Sequence, residues 1–469
     1  MAIDNEGNYT PRPKSISMMG DDPQLNITSE DYSLLTDLYQ LTMAACYAGE
    51  SLADRPASFE LFARRLPEGF GYAIAMGLEQ GIEYLEKFRF HEDQIDALQA
   101  TGIFANAPVQ FWSLLESGKF TGDVWAVPEG TAVFANEPLL RVEAPLWQAQ
   151  IVETYLLCTL NYQTLIATRA ARLRDVAGPK AMLLEFGTRR AFGPQASMWA
   201  ARAALAGGLD ATSNVLASLK LGRKPAGTMA HALVMALTAL EGSEMQAYRV
   251  FHTYFPGAPL LIDTYDTLNA ASQLTERVKQ GEVELAGVRL DSGDLVDLSQ
   301  KVRSLLPEVP IVASGDLDEW EVARLKSAGA CIDGYGFGTR LVTGDPVNGV
   351  YKLVEINGIP VMKQSSGKPS YPGRKQIFRR YKNGTVECDR LGLMTEDPLP
   401  DEVPLLQQVF QGGYRVSLPE TLEEISSRTS NSVAALPDTA RQLENPISPT
   451  VEISEQLQAL TEKTKQNNQ

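Results

Sequence analysis

Five short apolar runs recur through the middle of the chain, at residues 181–186 (AMLLEF), 258–262 (APLLI), 283–288 (VELAGV), 309–313 (VPIVA) and 331–336 (CIDGYG). Most are separated by stretches long enough for a helix. Strands alternating with helices form a parallel sheet, because each helix carries the chain back to start the next strand in the same direction. This many units over roughly 170 residues predict an α/β fold with a barrel or barrel-like sheet. In such a fold the chemistry gathers at the C-terminal ends of the strands. The segments there are Gly187-Thr188-Arg189-Arg190, Asp263-Thr264-Tyr265-Asp266, Arg289-Leu290-Asp291-Ser292-Gly293-Asp294, Ser314-Gly315-Asp316 and Gly336-Phe337-Gly338-Thr339-Arg340. One polar, glycine-rich segment would signify little; five in phase point to one site.

The rest of the chain divides around this core. Residues 1–25 are polar, with Pro11 and Pro13, and read as a flexible tail. Residues 26–145 read as an N-terminal α/β domain. Its first helix is expected from Ser33 to Gly49, where Leu34, Leu38, Leu41 and Ala45 recur at helical spacing. Residues 57–62 alternate as a strand does, and 121–144 carry strand-like runs broken by the turn signals Pro128-Glu129-Gly130 and Asn136-Glu137-Pro138. A long helical pattern runs from Pro145 towards Gly178, opening the barrel domain of residues 146–345. Residues 346–425 are expected to add C-terminal strands, including 350–356 and 375–381, and a mobile basic loop over 363–375 that packs with the N-terminal domain. Residues 426–469 read as a helical or frayed tail.

Composition excludes several classes of function. The chain carries 42 Lys+Arg against 58 Asp+Glu, a net charge of −16. Nucleic acid and anionic membranes are drawn to a basic field, so neither is an expected partner. No apolar run approaches the roughly 20 residues that span a bilayer, and the opening Met1-Ala2-Ile3-Asp4 lacks the basic-then-apolar form of a secretion signal. Cys46, Cys158, Cys331 and Cys388 are far apart and form no CxxC pair, which favours reduced thiols over a disulfide framework or structural zinc. A cytoplasmic location is the expectation.

The phased segments suit a phosphorylated sugar. Arg189, Arg289, Arg340 and the lysines of the 363–375 loop, Lys368 among them, can pair with phosphate oxygens. Gly336, Gly338 and Thr339 follow a strand and can offer backbone N–H groups to an anion, with Thr228 and Gly315 among the further phosphate-side candidates. Asp266, Asp291 and Asp294 could hold ribose hydroxyls or a magnesium ion, a hard cation that prefers oxygen. Each has an ordinary alternative. A strand-end aspartate often caps the next helix, for which Asp294 is well placed, and a GxG often marks only a turn. His231, in Gly227-Thr228-Met229-Ala230-His231, heads an apolar helix, where packing or capping is the default role. No Walker-type Gly-Lys-Ser/Thr loop exists for ATP.

These residues resemble the nicotinate phosphoribosyltransferase family. The resemblance is carried by Leu34-Leu35-Thr36-Asp37-Leu38-Tyr39-Gln40-Leu41-Thr42-Met43, Glu185-Phe186-Gly187-Thr188-Arg189-Arg190, Thr212-Ser213-Asn214-Val215-Leu216-Ala217 and Gly227-Thr228-Met229-Ala230-His231. Arg289-Leu290-Asp291-Ser292-Gly293-Asp294, Gly336-Phe337-Gly338-Thr339, Ser366-Gly367-Lys368 and Pro372-Gly373-Arg374-Lys375 complete it, in order along nearly the whole chain. It implies an irregular (β/α) barrel packed against an N-terminal α/β domain with added C-terminal strands, and phosphoribosyl transfer to nicotinate, the first step of NAD salvage from that base, with Mg²⁺ and ATP. Phe186 would stack on the pyridine ring, and Tyr39 of the partner subunit in a homodimer with shared sites would cover its other face. Arg289 would meet the carboxylate beside Ser213, and Asp291 and Asp266 would hold the ribose side. Arg189 and residues 336–339 would bind phosphate, and His231 would be phosphorylated from ATP. Ala211 and Ser370 depart from the commoner Gly and Thr by small changes. Rival readings are a same-fold enzyme acting on nicotinamide, a barrel phosphosugar lyase or isomerase, which would need an acid/base pair not evident here, and a non-catalytic nucleotide sensor.

Overall fold

The computed structural model describes residues 25–364 and 370–467, together with the short antiparallel pair Ala2–Ile3 and Tyr9–Thr10. The tail expected over 1–25 falls almost wholly outside the described residues, as does the 365–369 part of the basic loop, Lys368 included.

Helix α1 spans Leu38–Gly49, starting five residues later than the expected Ser33. Asp37 is extended, at φ −77° and ψ 145°. Its carboxylate accepts from the Thr154 hydroxyl at 2.9 Å instead of capping its own helix, so the 33–37 segment turns. Strands β1 (Pro56–Ala63), β2 (Asp123–Ala126) and β3 (Pro138–Pro145) pair antiparallel in the order β1-β3-β2, with Phe59 and Val124 both opposite Val142. Helix α2 (Glu153–Ala177) follows a short helix over Leu146–Ile151 and ends at Gly178, whose φ of +90° no L side chain adopts readily. Along its length α2 changes partners. Leu156 and Leu160 join the core of the antiparallel sheet, whereas Leu165, Ile166, Ala170 and Leu173 join the core of the parallel one. That dual burial explains its nearly unstriped apolar pattern.

Six parallel strands follow: β4 (Met182–Glu185), β5 (Ala211–Thr212), β6 (Leu260–Leu261), β7 (Val288–Leu290), β8 (Ile311–Ser314) and β9 (Gly334–Phe337). Their spatial order is β6-β7-β8-β9-β4-β5. Read as a cycle this is chain order, with β9 returning to pair with β4. The cycle is not closed by backbone pairing: β5 and β6 are both edges, and the segment containing helix α4 lies between them in the chain. The helices on this sheet include α3 (Pro194–Ala206), α4 (His231–Glu241), α5 (Thr267–Lys279) and α6 (Leu295–Leu305).

Two of the expected strands are displaced and one was not foreseen. The run 283–288 becomes a strand only at Val288, because Val288–Leu290 is the stretch flanked on both sides, by β6 and β8. Arg289 therefore lies within a strand. Likewise β9 begins at Gly334, so Gly336 and Phe337 are strand residues. Strand β5 is two residues long and too short for any periodicity to reveal.

The chain then returns to the first sheet. Strand β10 (Gly349–Ile356) pairs with β1, placing Tyr351 opposite Leu61. Strands β11 (Lys375–Lys382) and β12 (Thr385–Leu393) form a hairpin, and β13 (Gln407–Gln411) pairs with β2. The last segment is not simply helical or frayed. The helix Leu422–Ala434 is capped by the reciprocal Thr421–Glu424 box and buries Ile425 and Val433. Strand β14 (Thr450–Ile453) then lies parallel to β12, and the final helix, Glu455–Asn467, buries Leu457, Thr461 and Thr464 on one stripe. Two residues of the expected basic loop are also structural. Lys375 is buried, ion-paired with Glu60 at 2.8 Å, and donates to the Tyr371 and Gly373 carbonyls. Arg374 bridges Glu143 and Glu355. No helix among the described residues is long and apolar enough to cross a membrane.

Candidate active site

The C-terminal ends of the parallel strands assemble most of the expected residues. Phe186 leaves β4 with its N–H donating to the Phe337 carbonyl at 2.6 Å. Its ring lies over Gly336 of β9, so closely that a Cβ on that glycine would stand 2.4 Å from Phe186 Cε2. Gly336 is thus buried beneath the ring and makes room for it. Gly338 and Thr339 open the short helix Thr339–Val342, while Arg189 and Arg340 are exposed at the rim.

Arg289 reaches the same region from β7. Its guanidinium carbon is 6.0 Å from the centroid of the Phe186 ring, and Nη1 donates to Thr228 Oγ1 at 2.9 Å. Nε is buried without a hydrogen-bond partner. Burial lowers the guanidinium pKa and Asp291 and Asp263 push it back up, while Arg189 is near enough to lower it slightly. Arginine stays charged through shifts of this kind. The result is a half-buried cation with spare donor capacity beside an aromatic face, which suits a flat anion.

The acidic residues divide between two tasks. Asp291 accepts from the Ser314 hydroxyl, and its backbone N–H donates to Asp263 Oδ2 at 2.9 Å. Ser292 donates to the same oxygen at 2.6 Å, leaving Asp263 Oδ1 buried and unpartnered. Gly315 fixes this corner: its φ is +100°, and a Cβ there would fall 2.4 Å from the Asp291 carbonyl oxygen. Asp266 and Asp294, in contrast, are exposed helix N-caps. Asp266 accepts from Asn269 N at 2.9 Å and Asp294 from Val296 N at 3.0 Å. For Asp266, expected on the ribose side, capping of α5 is the role its contacts display. The acid turned into the site is Asp263, the first residue after the β6 run.

His231 begins α4, and its Nδ1 lies 3.0 Å from Thr264 Oγ1. Ser213 follows β5 and donates its N–H to the Glu185 carbonyl at 2.9 Å. A cavity of about 410 Å³ opens at this end, lined by Asp291, Ser292, Asp294, Ser314, Gly315 and Arg324 among others. Another, of about 500 Å³, contains none of the expected site residues, and its arginines are already paired, Arg415 with Glu79 and Arg428 with Glu420. No group of three or more His, Cys, Asp or Glu side chains forms a metal cage among the described residues.

Tyr39 stands apart. It is half exposed on α1 and donates to Glu153 Oε2 at 3.2 Å. Partial burial, then Glu153, push its phenol up to about 12. It makes no ring contact with Phe186 within this chain among the described residues.

Sequence reasoning placed Asp263, Thr264 and Ser314 in the strand-end segments and Glu185 in a family motif, but gave none of the four a role of its own. Their type and position resemble those of their neighbours, and only the contacts made in the fold single them out.

Comparison with known proteins converges on one family. Residues 34–161, 181–309 and 400–461 match, respectively, the nicotinate phosphoribosyltransferase N-terminal domain, the nicotinate phosphoribosyltransferase family and the nicotinate phosphoribosyltransferase C-terminal domain. A nicotinate phosphoribosyltransferase of Mycobacterium tuberculosis is 40% identical over 424 residues, covering 88% of this chain and 89% of that protein. One from Bacillus subtilis is 43% identical over 386 residues, covering 78% and 77%. The crystal structure of human nicotinic acid phosphoribosyltransferase superposes with a TM-score of 0.78 at 32% identity, over 92% of this chain and 99% of that one.

Proposed function

We propose, because the chain belongs to the nicotinate phosphoribosyltransferase family, that it joins nicotinate to the phosphoribosyl group of phosphoribosyl pyrophosphate, giving nicotinate mononucleotide and pyrophosphate. The observation that carries this reading is Arg289, with a buried, unpartnered Nε beside the Phe186 ring. A pyridine carboxylate satisfies both groups at once, its ring against Phe186 and its charge against Arg289. The six parallel strands and their helices are read as the irregular barrel, open between β5 and β6.

The reaction asks little acid–base chemistry of the protein. The pyrophosphate leaves the anomeric carbon with the bonding electron pair, and the lone pair of the ring nitrogen closes the new C–N bond. That nitrogen carries no proton to remove, so no general base is needed. Catalysis reduces to alignment, which can supply ~7–11 kcal/mol, and to stabilising separated charge. Asp291, held by Ser314 and Asp263, is suited to the ribose side and to the cationic sugar that develops there. Arg189, Gly338 and Thr339 are suited to phosphate. Magnesium fits the donor set, since this ion uses one or two carboxylates plus substrate phosphates. Asp263, with its free buried oxygen, and Asp291 would hold it, and bound there it supplies neutralisation of the leaving pyrophosphate.

His231 is read as the acceptor of a phosphoryl group from ATP. With Nδ1 engaged by Thr264, Nε2 is the nitrogen left for attack. Its lone pair forms the N–P bond as the bond from the γ-phosphorus to the bridging oxygen breaks, releasing ADP. Later hydrolysis of the phosphohistidine would draw the transfer forward. Tyr39, half exposed on α1, is read as acting across a twofold interface on the partner's site.

The test is direct: purified protein, phosphoribosyl pyrophosphate and Mg²⁺, with nicotinate or nicotinamide, each with and without ATP. Nicotinate mononucleotide and pyrophosphate are expected in equal amounts, faster with ATP. Failure to form nicotinate mononucleotide under any condition would refute the reading.

A further inference from the structure

Glu185 is a carboxylate with no exposed surface and no ion pair among the described residues. Such a group is costly to bury unless its oxygens are satisfied, and here each is satisfied by a different part of the site. The Gly187 N–H donates to Oε1 and the Thr212 hydroxyl to Oε2. Burial raises the carboxyl pKa, and those two hydrogen bonds offset only part of the rise. The backbone carbonyl of Glu185 takes a third donor, the Ser213 N–H, at 2.9 Å.

These bonds have a consistent geometry. Glu185 and Gly187 flank Phe186, so the Oε1 contact closes the turn at whose apex the ring is mounted. The turn is closely packed and admits only glycine at 187, because a Cβ there would lie 2.3 Å from Val342 and 2.8 Å from Glu185 Oε1. Thr212 and Asn214 flank Ser213, and Asn214 N donates to Thr212 Oγ1 at 2.9 Å, closing a second turn on the same hydroxyl that Glu185 holds. One side chain therefore ties together two turns from adjacent strands, β4 and β5.

We propose that Glu185 is a positioning residue that sets the spacing between the Phe186 ring and Ser213, and thereby the affinity and selectivity for the pyridine base. This inference rests on the reading of Phe186 and Ser213 as base-binding residues. It also explains why a buried carboxylate is tolerated close to where an anionic substrate would lie: both its oxygens face away into N–H and O–H donors of the scaffold.

The test separates base binding from general folding. Thr212→Val keeps the side-chain shape and removes the donor to Glu185 together with the acceptor for the Asn214 N–H, so both bonds that this hydroxyl makes around Ser213 are cut. Loss of one hydrogen bond to a charged acceptor is expected to raise KM for nicotinate roughly tenfold, about 1.4 kcal/mol. KM for phosphoribosyl pyrophosphate should stay within about twofold of wild type. Glu185→Leu, which removes both ties, should raise the nicotinate KM further, and adding Thr212→Val to it should raise it by less than Thr212→Val does alone, since both changes cut the Glu185–Thr212 bond. Glu185→Gln should recover most of the loss, because its amide can accept from Gly187 and donate to the Thr212 oxygen. If Glu185→Leu fails to fold, Thr212→Val still decides the matter. An unchanged nicotinate KM in active Thr212→Val, or equal rises in both KM values, would overturn the inference while leaving the assigned reaction intact. A wild-type protein without nicotinate transfer would remove the assigned reaction, and this inference with it.

Discussion

Arg289 holds its guanidinium carbon 6.0 Å from the centre of the Phe186 ring, although the two residues come from strands separated by two others. Between β7 and β4 lie β8 and β9, and the floor beneath the ring is the bare backbone of Gly336. This gives the first prediction. Gly336→Ala would force its methyl into the ring edge, and the ring must tilt. The nicotinate KM should rise by roughly tenfold or more, whereas the melting temperature should change by only a few degrees, as overpacking usually costs ~1–3 kcal/mol. Steady-state kinetics alongside thermal melts would check it; an Ala variant with wild-type nicotinate KM would show that the ring does not bear on the base.

Substrate choice should depend on Ser213. With Ser213 neutral, the charge of Arg289 leaves the field favourable to a carboxylate, whereas an aspartate at 213 would repel it and could accept from an amide N–H₂. Wild-type kcat/KM is expected to favour nicotinate over nicotinamide strongly. Ser213→Asp should erode that ratio by at least about tenfold, the scale of one charged contact. Equal kcat/KM for the two bases in the wild type would contradict the argument.

Tyr39 offers a test of shared sites. Tyr39→Ala and Arg289→Ala homodimers should each be nearly inactive. Mixed under conditions of subunit exchange, they should regain up to about a quarter of wild-type activity, because half of the subunits pair as heterodimers and each heterodimer has one intact composite site. Light scattering showing a fully active monomer would exclude the arrangement.

His231→Asn retains a polar side chain of similar reach but cannot be phosphorylated. It should abolish ATP hydrolysis and ATP stimulation while leaving a slower, ATP-independent transfer. Labelled ATP should deposit acid-labile phosphate on the wild type and none on the variant. Stimulation by ATP that survives in the variant would remove His231 from this role.

Stability should fall through Glu137 as pH rises above the ordinary glutamate range. Its carboxyl is raised well above the usual range, first by burial and then by the neighbouring Asp389, against the opposing Arg379. An acid with a raised folded pKa binds more protons folded than unfolded once pH exceeds the ordinary glutamate value. Its contribution is complete below about pH 4 and is lost progressively as pH rises towards the folded pKa. Glu137→Gln removes that titration. Between about pH 5 and pH 8, the melting temperature of the variant should decline less than that of the wild type; parallel declines would show that Glu137 does not titrate in this window.

What was legible in the sequence was whatever depends on near neighbours along the chain. The apolar runs announced a parallel α/β core, Pro128-Glu129-Gly130 and Asn136-Glu137-Pro138 marked turns, and the motifs around Phe186, His231 and Arg289 identified the family. A period of two or of 3.6 residues is a local property, so it survives without the fold. The tertiary structure decided which of several chemically equivalent residues face the site. Asp263 and Asp266 are three positions apart and alike in type, yet one turns inward and the other caps α5. Lys375 sits in a basic stretch, but its partner Glu60 is 315 residues away and draws it into the interior. The contacts that define the site join residues 33 and 61 positions apart, His231 with Thr264 and Arg289 with Thr228. No local pattern encodes such pairs. They exist because parallel strands, each returned by a helix, bring their ends side by side, and only the packing of those helices selects which side chain arrives.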